Sequence, residues 1–536
     1  MSEGVPGTEA GQDAAEGSRP VGVVGAGTMG AGIAQVAAVA GRRVLLADAA
    51  PGAAERAVQK IRERVKAQVA KGRLTVDADT LQITAASVRE FAACDVVVEA
   101  VVEDLAVKRQ LFGQLEDVVA PDAILASNTS SLSPTSIAAG LNHPERVVGL
   151  HFFNPVPAMK LVEVISGLAT SPDAADVAAE LAAGWGKTVV RSTATPAFIV
   201  NRIARPFYAE AWRLVEEHAS VPENIDAVLT GAGGFRMGPF TVMDLVGHDV
   251  NEAVTRSVWS AFGCDPRFKP SLAQRALVEA GRLGRKAGRG VYSYDDGATT
   301  PAGQPARTVP AKAVPASVIE HGASPLRPLL ARSGVLGGRS GSVGRVSMTA
   351  GNRDDTGTGL PGGLVELPSG AFLARCAGAT ATSLAAALER PVVVADRALD
   401  YATASAIAVA ASDGCPPGAL DEATGLLQSC GLGVYVIDDV PGLVVTRTVA
   451  MLVNLAADAL ASHVASADDI DTAMRLGVNY PLGPLAWGGR WGVRPVLSVL
   501  DSLEDWYRDG HYRASPLLRR WALSERTLPG QSLPRQ

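Results

Sequence analysis

The sequence predicts a doubly wound α/β domain with a mainly parallel sheet, then an all-α domain, then a degenerate second copy of both. Three observations support this prediction. Short apolar segments alternate with helical segments as far as Pro196, and helical periodicity without a clear strand follows to about residue 295. The segment after Pro441 then repeats the segment after Pro196. A chain of 536 residues is long enough for several domains.

The α/β domain begins with a strand–helix–strand unit. Residues 21–24 (VGVV) are apolar, residues 31–37 are small and have helical spacing, and residues 43–48 predict the second strand. Further apolar segments predict later strands at 96–100, 123–126, 147–150 and 161–165. We assign residues 20–195 to this domain, after a small, polar segment at 1–19 that predicts a disordered tail.

The helical domain is predicted over residues 196–295. Ile199, Ile203, Phe207 and Ala211 follow one another at intervals of four, which places them on one face of a helix.

The segment 296–370 is rich in Pro, Gly and Ser, with little periodicity, and predicts a linker. Within it, residues 317–319 and 364–367 are candidate short strands.

The second half of the chain repeats the first with an offset of 245 residues. Pro196 aligns with Pro441, and Arg202 aligns with Arg447. The repeat predicts a degenerate sheet remnant over 371–436 and a second helical domain over 437–536. One long repeat indicates a duplication, because solenoid repeats have periods of about 20–50 residues.

A glycine-rich loop connects the first strand to the first helix. Gly25, Gly27 and Gly30 fit the pattern GxGxxG: the first allows a tight turn, the second allows a pyrophosphate to approach the backbone, and the third allows close packing. Asp48, at the end of the second strand, matches the acid that binds the adenosine ribose and repels a 2′-phosphate. The pattern therefore predicts a Rossmann domain that binds NAD. FAD binding and a glycine turn without a nucleotide are the alternatives.

Polar clusters follow two later strands, where ligands of parallel sheets bind. The turn at 127–131 (SNTSS) presents hydroxyl groups for nicotinamide and substrate, or else caps the following helix. His151 suits acid–base catalysis, and Glu163 on the next strand is placed to hold its other nitrogen; a structural histidine is the alternative. Asn201 is a candidate donor to a substrate oxygen, or an ordinary polar helix position.

Together these segments resemble the 3-hydroxyacyl-CoA dehydrogenase family. The matching segments are GAGTMGAGIAQ at 25–35, SNTSSL at 127–132, GLHFFNPVPAMKLVEV at 149–164, PAFIVNR at 196–202 and LGRKAGRGVY at 283–292. Ala287 is a departure, because Thr is common there. The tandem arrangement is similar to bacterial members that act on 3-hydroxybutyryl-CoA or 3-hydroxyadipyl-CoA.

The resemblance implies an oxidoreductase that converts (S)-3-hydroxyacyl-CoA to 3-oxoacyl-CoA with NAD, in fatty-acid or phenylacetate catabolism. It implies that His151 is the base, that Glu163 is its partner, and that Ser130 and Asn201 hold the substrate. The residues expected to bind NAD are Gly25, Gly27, Thr28, Met29, Gly30, Asp48, Glu103, Lys108, Asn128, Ser130, Asn154 and Lys286. A related sugar-acid or hydroxy-acid dehydrogenase and a catalytically silent NAD-binding protein are the alternatives.

The second copy lacks this set of residues and is predicted to be inactive. With the offset of 245, the positions of Ser130, His151, Glu163 and Asn201 become Arg375, Asp396, Ala408 and Thr446. The resemblance implies that helical domains pair, so we expect an intramolecular pseudo-dimer of helical domains, with homo-oligomers still open. A regulatory acyl-CoA pocket in the second copy is the alternative.

Composition and charge exclude several classes. The net charge of −6 offers no general basic field for nucleic acid, and no run of about 18 apolar residues suggests a membrane span. The first residues lack the pattern of a secretory signal, so we expect a cytoplasmic protein. Five cysteines without a CxxC pair predict neither a disulfide scaffold nor a metal site.

Overall fold

The structure is a computed structural model that describes residues 19–294, 306, 308–321, 324–333 and 363–524. The chain divides into two compact units: residues 1–200 with 463–477, and residues 201–462 with 478–536. Most of the predicted tail at 1–19 lies outside the described residues. Arg19 is described, and its guanidinium pairs with Asp122 at 2.7 Å.

The first unit is built on one eight-stranded sheet. Its strands are β1 (Val21–Val24), β2 (Val44–Ala47), β3 (Ile83–Ala85), β4 (Val96–Glu99), β5 (Ile124–Ser127), β6 (Val147–Phe152), β7 (Leu161–Ser166) and β8 (Thr188–Thr193). They are ordered β3-β2-β1-β4-β5-β6-β7-β8. Neighbouring strands are parallel except β6 and β7, which are antiparallel.

Helices cover this sheet. They are α1 (Thr28–Val39), α2 (Ala53–Ala70), α3 (Leu105–Glu116), α4 (Pro134–Ala138), α5 (Pro172–Gly184) and, from much later in the chain, α16 (Ala467–Gly477). Two clusters of buried apolar side chains form the core on the two faces of the sheet. Apolar residues point to both faces, which explains why the strands have continuous apolar sequences.

The second unit contains most of the helices and a second sheet. Its helices are α6 (Val200–Ile203, beginning at the boundary), α7 (Arg205–Glu216), α8 (Pro222–Gly231), α9 (Pro239–Val246), α10 (His248–Ala261), α11 (Leu272–Glu279), α12 (Arg327–Leu330), α13 (Ala381–Leu388), α14 (Pro417–Ser429), α15 (Val445–Ala461), α17 (Pro484–Trp491), α18 (Val493–Tyr507) and α19 (Pro516–Leu523). Its strands are β9 (Ile319–His321), β10 (Leu364–Glu366), β11 (Phe372–Arg375), β12 (Val392–Ala395), β13 (Ala406–Ala411) and β14 (Gly433–Val436). They form one sheet of order β14-β13-β12-β11-β10-β9. None of the helices in the described ranges is long and apolar enough to cross a membrane.

The predicted fold class is confirmed. Within the segment predicted as a linker, at 296–370, the candidate strand at 364–367 is confirmed by β10, and β9 begins at the last residue of the candidate at 317–319. β9 and β10 lie inside that segment and join the second sheet as antiparallel strands. Each has only three residues, which is too short for a clear alternation of apolar and polar side chains. The second sheet therefore begins well before residue 371.

The duplication is confirmed by matching elements. An offset of 245 maps β7 onto β13, α5 onto α14 and α9 onto α17, residue by residue at both ends. In the first unit the Thr193 amide donates to the Val464 carbonyl at 2.9 Å, and in the second unit the Asp438 amide donates to the Ala219 carbonyl at 2.9 Å. These two bonds are related by the same offset, so each sheet receives the corresponding contact from the other copy's helical segment.

One predicted equivalence needs correction. Ser127 pairs with Gly149 in the first sheet, whereas Ala374 pairs with Val394 in the second. Because Val394 corresponds to Gly149, the sheet register places Arg375 at the position of Asn128 rather than of Ser130. The offset fails here because β11 comes three residues later than β5 predicts.

A buried network of charges connects the first and second helical segments inside the second unit. The fully buried Arg447 guanidinium lies 3.3 Å from the Glu210 carboxylate and donates to the hydroxyl of Tyr512. His511 and Tyr512 each bond to Glu210 at 2.7 Å. Burial alone would raise the pKa of Glu210, but His511 and Arg447 lower it below the ordinary value of 4.5.

Replacing Arg447 by Met should lower the free energy of unfolding by about 3 kcal/mol, because it leaves the Glu210 carboxylate with one fewer buried cation. Urea denaturation followed by tryptophan fluorescence measures the loss. Since the pKa of Glu210 is lowered in the folded state, the wild-type contribution is present above pH 4.5 and disappears as the pH falls through the lowered value. Arg519→Met, which breaks an exposed pair with Asp501, is the matched control and should change stability little. Equal losses in the two variants would contradict this account.

Candidate active site

The glycine loop has the shape that a bound pyrophosphate requires. Gly25 has a φ of +105°, and a side chain there would overlap the Ala100 carbonyl. A side chain on Gly30 would overlap the Gly25 carbonyl. Gly27 differs, because a Cβ there meets no atom within 4 Å. The free space lies at the start of α1, where the backbone N–H groups of the first turn favour an anion.

The carboxylate of Asp48 fastens this loop to the end of β2. One oxygen accepts from the Ala26 amide at 2.7 Å, and the other accepts from the Ala50 amide at 2.8 Å. The side chain is half-buried, so its remaining lone pairs can face a ligand beside the loop. The loop, the helix start and the acid therefore fit the phosphates and adenosine ribose of NAD.

A buried ion pair lies beneath the next strand ends. The Lys108 ammonium donates to Glu99 at 2.6 Å, and both side chains are almost completely buried. The other Glu99 oxygen accepts from the Ser127 hydroxyl at 2.6 Å. Sequence reasoning missed Glu99 and named Ser127 only as part of the turn at 127–131; an acidic residue ending an otherwise apolar strand was the available signal. Lys108, predicted to contact NAD, has its charge compensated inside the protein.

Glu103 organises the hydroxyl-rich turn after β5. One of its oxygens accepts from the Thr129 hydroxyl at 2.6 Å and from the amides of Ser130 and Ser131 at 3.0 and 3.1 Å. Burial alone would raise the pKa of Glu103, but the hydrogen bonds from Thr129 and Ser131 and the charge of Lys108 lower it. Glu103 therefore stays ionised and holds the turn in place.

Asn128 and Ser130 are the predicted ligand-facing residues of that turn. The Asn128 amide oxygen accepts from the Phe152 amide at 2.9 Å, which connects the ends of β5 and β6. The Ser130 side-chain hydroxyl makes no hydrogen bond within the described ranges, and the residue is half-buried. It is free to bind a ligand oxygen.

His151 and Glu163 lie opposite each other on the antiparallel strands β6 and β7. His151 Nδ1 lies 2.6 Å from Glu163 Oε2, and Glu163 is completely buried. The other carboxylate oxygen accepts from the amides of Ile199 and Val200 at 3.2 and 3.0 Å. These bonds make Glu163 the acceptor of an Nδ1–H, so His151 Nε2 carries the lone pair, and no residue in the described part of the chain bonds to it.

Two aromatic rings lie beside His151, and a buried lysine holds the loop that follows β6. The rings of Phe153 and Phe198 lie 4.5 and 5.8 Å from the imidazole, centroid to centroid. The Lys187 ammonium donates to the carbonyls of Val156 and Met159, and burial lowers its pKa. Sequence reasoning also missed this lysine, which holds the loop after Asn154.

Three predicted residues are not tied to this cluster by the structure. Asn154 follows β6 and is exposed. Asn201 and Lys286 belong to the second unit. The Lys286 ammonium pairs with Asp249 at 2.6 Å, and the Asn201 side chain is half-buried. Among the described residues, no group of three or more His, Cys, Asp or Glu side chains is arranged to hold a metal ion.

Comparison with family profiles covers most of the chain. The profile described as "3-hydroxyacyl-CoA dehydrogenase, NAD binding domain" matches residues 20–195. The profile "3-hydroxyacyl-CoA dehydrogenase, C-terminal domain" matches twice, at 198–294 and 442–528. The profile "3-hydroxybutyryl-CoA dehydrogenase reduced Rossmann-fold domain" matches 373–441.

Individual relatives extend over the same length. The 3-hydroxyadipyl-CoA dehydrogenase of Escherichia coli K12 is 44% identical over 94% of this chain and 98% of its own. A crystal structure of 3-hydroxybutyryl-CoA dehydrogenase from Escherichia coli K12 matches with a TM-score of 0.81 and 43% identity, covering 95% of this chain and 99% of that one. A probable 3-hydroxybutyryl-CoA dehydrogenase of Bacillus subtilis is 41% identical over 51% of this chain and 96% of its own.

Gly27→Ala should weaken NADH binding by about tenfold or more while leaving the free energy of unfolding unchanged, because the added methyl group occupies only the space reserved for phosphate. Titration of NADH fluorescence measures the dissociation constant. Gly113→Ala makes the same change in α3, also without a close neighbour, and should bind NADH normally. Wild-type affinity in Gly27→Ala would show that phosphate does not lie there.

Proposed function

Because the chain belongs to the 3-hydroxyacyl-CoA dehydrogenase family, we propose that it oxidises (S)-3-hydroxyacyl-CoA to 3-oxoacyl-CoA with His151 as the catalytic base. The enzyme is an NAD-dependent oxidoreductase of that family. The observation that carries the proposed role is the bond of 2.6 Å between His151 Nδ1 and the buried Glu163 carboxylate. It leaves Nε2 as the nitrogen that can accept a proton.

The proposed reaction is a proton transfer coupled to hydride transfer. His151 Nε2 takes the proton of the 3-hydroxyl group, and the positive imidazolium is stabilised by the adjacent Glu163 carboxylate. NAD, when bound, accepts the hydride that leaves C3. The products are 3-oxoacyl-CoA, NADH and one proton. Ser130 and Asn201 are the proposed donors to the substrate oxygens.

Residues around the glycine loop are proposed to bind NAD. Asp48 binds the ribose hydroxyls and disfavours a 2′-phosphate, which supports NAD over NADP. Glu103 and Lys108 act mainly by holding the turn at 127–131 in place, since their charges are used within the protein. The remaining proposed contacts come from Gly25, Gly27, Thr28, Met29, Gly30, Asn128, Ser130, Asn154 and Lys286.

The proposed substrate is a short acyl-CoA, either 3-hydroxyadipyl-CoA or 3-hydroxybutyryl-CoA. The names of the two Escherichia coli proteins, which match nearly the whole chain, support these two choices. Such a reaction belongs to fatty-acid or phenylacetate catabolism. Its dependence on NAD and CoA thioesters supports a location in the cytoplasm.

The second copy is proposed to act as a built-in second subunit. α15 packs on α7 inside the second unit, and their contact includes the ion pair between Arg447 and Glu210. At the position of His151 the second copy has Asp396, whose carboxylate accepts from the amides of Val444 and Val445. Backbone amides already bond to that carboxylate, so we propose that Asp396 does not act as a base corresponding to His151.

His151→Ala should lower the rate of NADH oxidation with acetoacetyl-CoA by about 10²- to 10⁴-fold and leave NADH binding intact, because only the proton-transfer group is removed. Glu163→Gln should also lower kcat, since a neutral amide does not stabilise the imidazolium. Absorbance of NADH measures the rates, with 3-hydroxyadipyl-CoA and 3-hydroxybutyryl-CoA used in the oxidative direction.

His143→Ala is the matched control. His143 also faces a glutamate, Glu145, at 3.1 Å, but both side chains are about half exposed. This variant should keep wild-type turnover. Wild-type turnover in His151→Ala would remove His151 from the mechanism, and failure of the wild-type enzyme with all three acyl-CoA compounds would contradict the proposed substrate class.

A further inference from the structure

A cavity of about 240 Å³ lies in the second copy, at the carboxyl ends of β11 and β12. Three arginines line it: Arg375 ends β11, Arg397 follows β12, and Arg490 lies in the last turn of α17. The rings of Tyr401 and Trp491 also line it. All of these residues belong to the second unit.

The cavity lies where open α/β sheets bind their ligands, but its residues differ in charge from those of the first copy. Ligands of open α/β sheets bind beyond the carboxyl ends of parallel strands, and β11 and β12 are parallel. By sheet register Arg375 stands where the first copy has Asn128, and Arg397 stands where it has Phe152. A neutral amide and an apolar ring have thus been replaced by two cations.

Nearby acids compensate the positive charges in the cavity only in part. Within the described ranges, no carboxylate forms a salt bridge with Arg375, Arg397 or Arg490. Asp400 also lines the cavity, and its Oδ1 accepts from the Ala402 amide. Asp396 accepts from the backbone amides at the start of α15 and also attracts the neighbouring Arg397 guanidinium. Two carboxylates against three guanidinium groups leave an excess of positive charge.

Neither Arg397 nor Arg375 uses its full hydrogen-bonding capacity within the described ranges. Arg397 is 4% exposed; its Nε donates to the Cys376 carbonyl, and its guanidinium carbon lies 4.7 Å from the Trp491 ring centre. Burial, reinforced by the charge of Arg375, lowers the pKa of Arg397 to about 10. The Nε of Arg375 is buried and has no hydrogen-bond partner within the described ranges.

We propose that this cavity binds a small anion through a carboxylate or phosphate group. Guanidinium groups present planar pairs of donors that match the oxygens of either group. A bound anion would relieve the repulsion between Arg375 and Arg397 and supply acceptors for their free N–H groups. The volume is below the range of about 300–1,000 Å³ typical of drug-sized ligands, which favours a small anion over a dinucleotide.

The test compares the full-length enzyme with the double variant Arg375→Gln/Arg490→Gln. Calorimetric titration with inorganic phosphate, adipate and coenzyme A distinguishes a free phosphate, a dicarboxylate and a CoA phosphate as the bound group. We expect saturable binding of at least one probe, weakened by about tenfold or more in the double variant, because two charge-assisted contacts are lost. Trp491→Phe should remove the fluorescence change that accompanies binding.

Arg275→Gln/Arg519→Gln is the matched control, since both arginines are exposed and pair with acids on helices. It should bind the probe as the wild type does. The proposal is overturned if no probe binds saturably below about 10 mM, or if binding is unchanged in Arg375→Gln/Arg490→Gln. NADH-dependent turnover by the first copy is measured separately, so failure of this proposal leaves the proposed reaction untouched.

Discussion

The buried carboxylate of Glu163 is the group on which the arrangement of the first copy depends. One of its oxygens holds His151 Nδ1, and the other accepts from the two amides at the start of α6. A completely buried carboxylate is costly unless it is paired and hydrogen-bonded. Glu163, on β7, meets that condition because it bonds to His151 on β6 and to the backbone at the start of α6. It therefore connects the base to the chain segment that follows the sheet.

In the second copy a different carboxylate accepts from the amides at the start of the helix. Asp396, at the position of His151, itself accepts from the amides of Val444 and Val445, and the hydroxyl of Thr446 donates to it. Ala408 on β13 stands at the position of Glu163. The carboxylate beside the helix start is therefore supplied by Asp396, which follows β12. This exchange keeps the hydrogen bonds to the helix start, while the second copy has an aspartate at the position of the histidine.

Sequence reasoning predicted those parts of the fold and the site that depend on local pattern. The sequence predicted the apolar strands, the glycine loop and the placement of His151 and Glu163 on consecutive strands. Each of these features follows from chain geometry over about a dozen residues or fewer. The bond between Lys108 and Glu99 could not be predicted from the sequence. Glu99 ends a strand and Lys108 lies on a helix, and local pattern does not show that these two elements pack together. Short strands near β9 and at β10 were predicted, but their place in the second sheet was not, because residues 319–321 pair with residues 364–366, which are distant in sequence.

We infer that one copy of the duplicated fold kept the cofactor site and the base, and that the other kept the architecture. The number of NADH molecules bound per chain tests this claim most directly. Fluorescence titration of the full chain at protein concentrations well above the dissociation constant gives that number. We expect one NADH per chain, because in the described part of the chain the glycine loop with free space at its second glycine, Gly27, belongs to the first copy. Two equivalents per chain would contradict it.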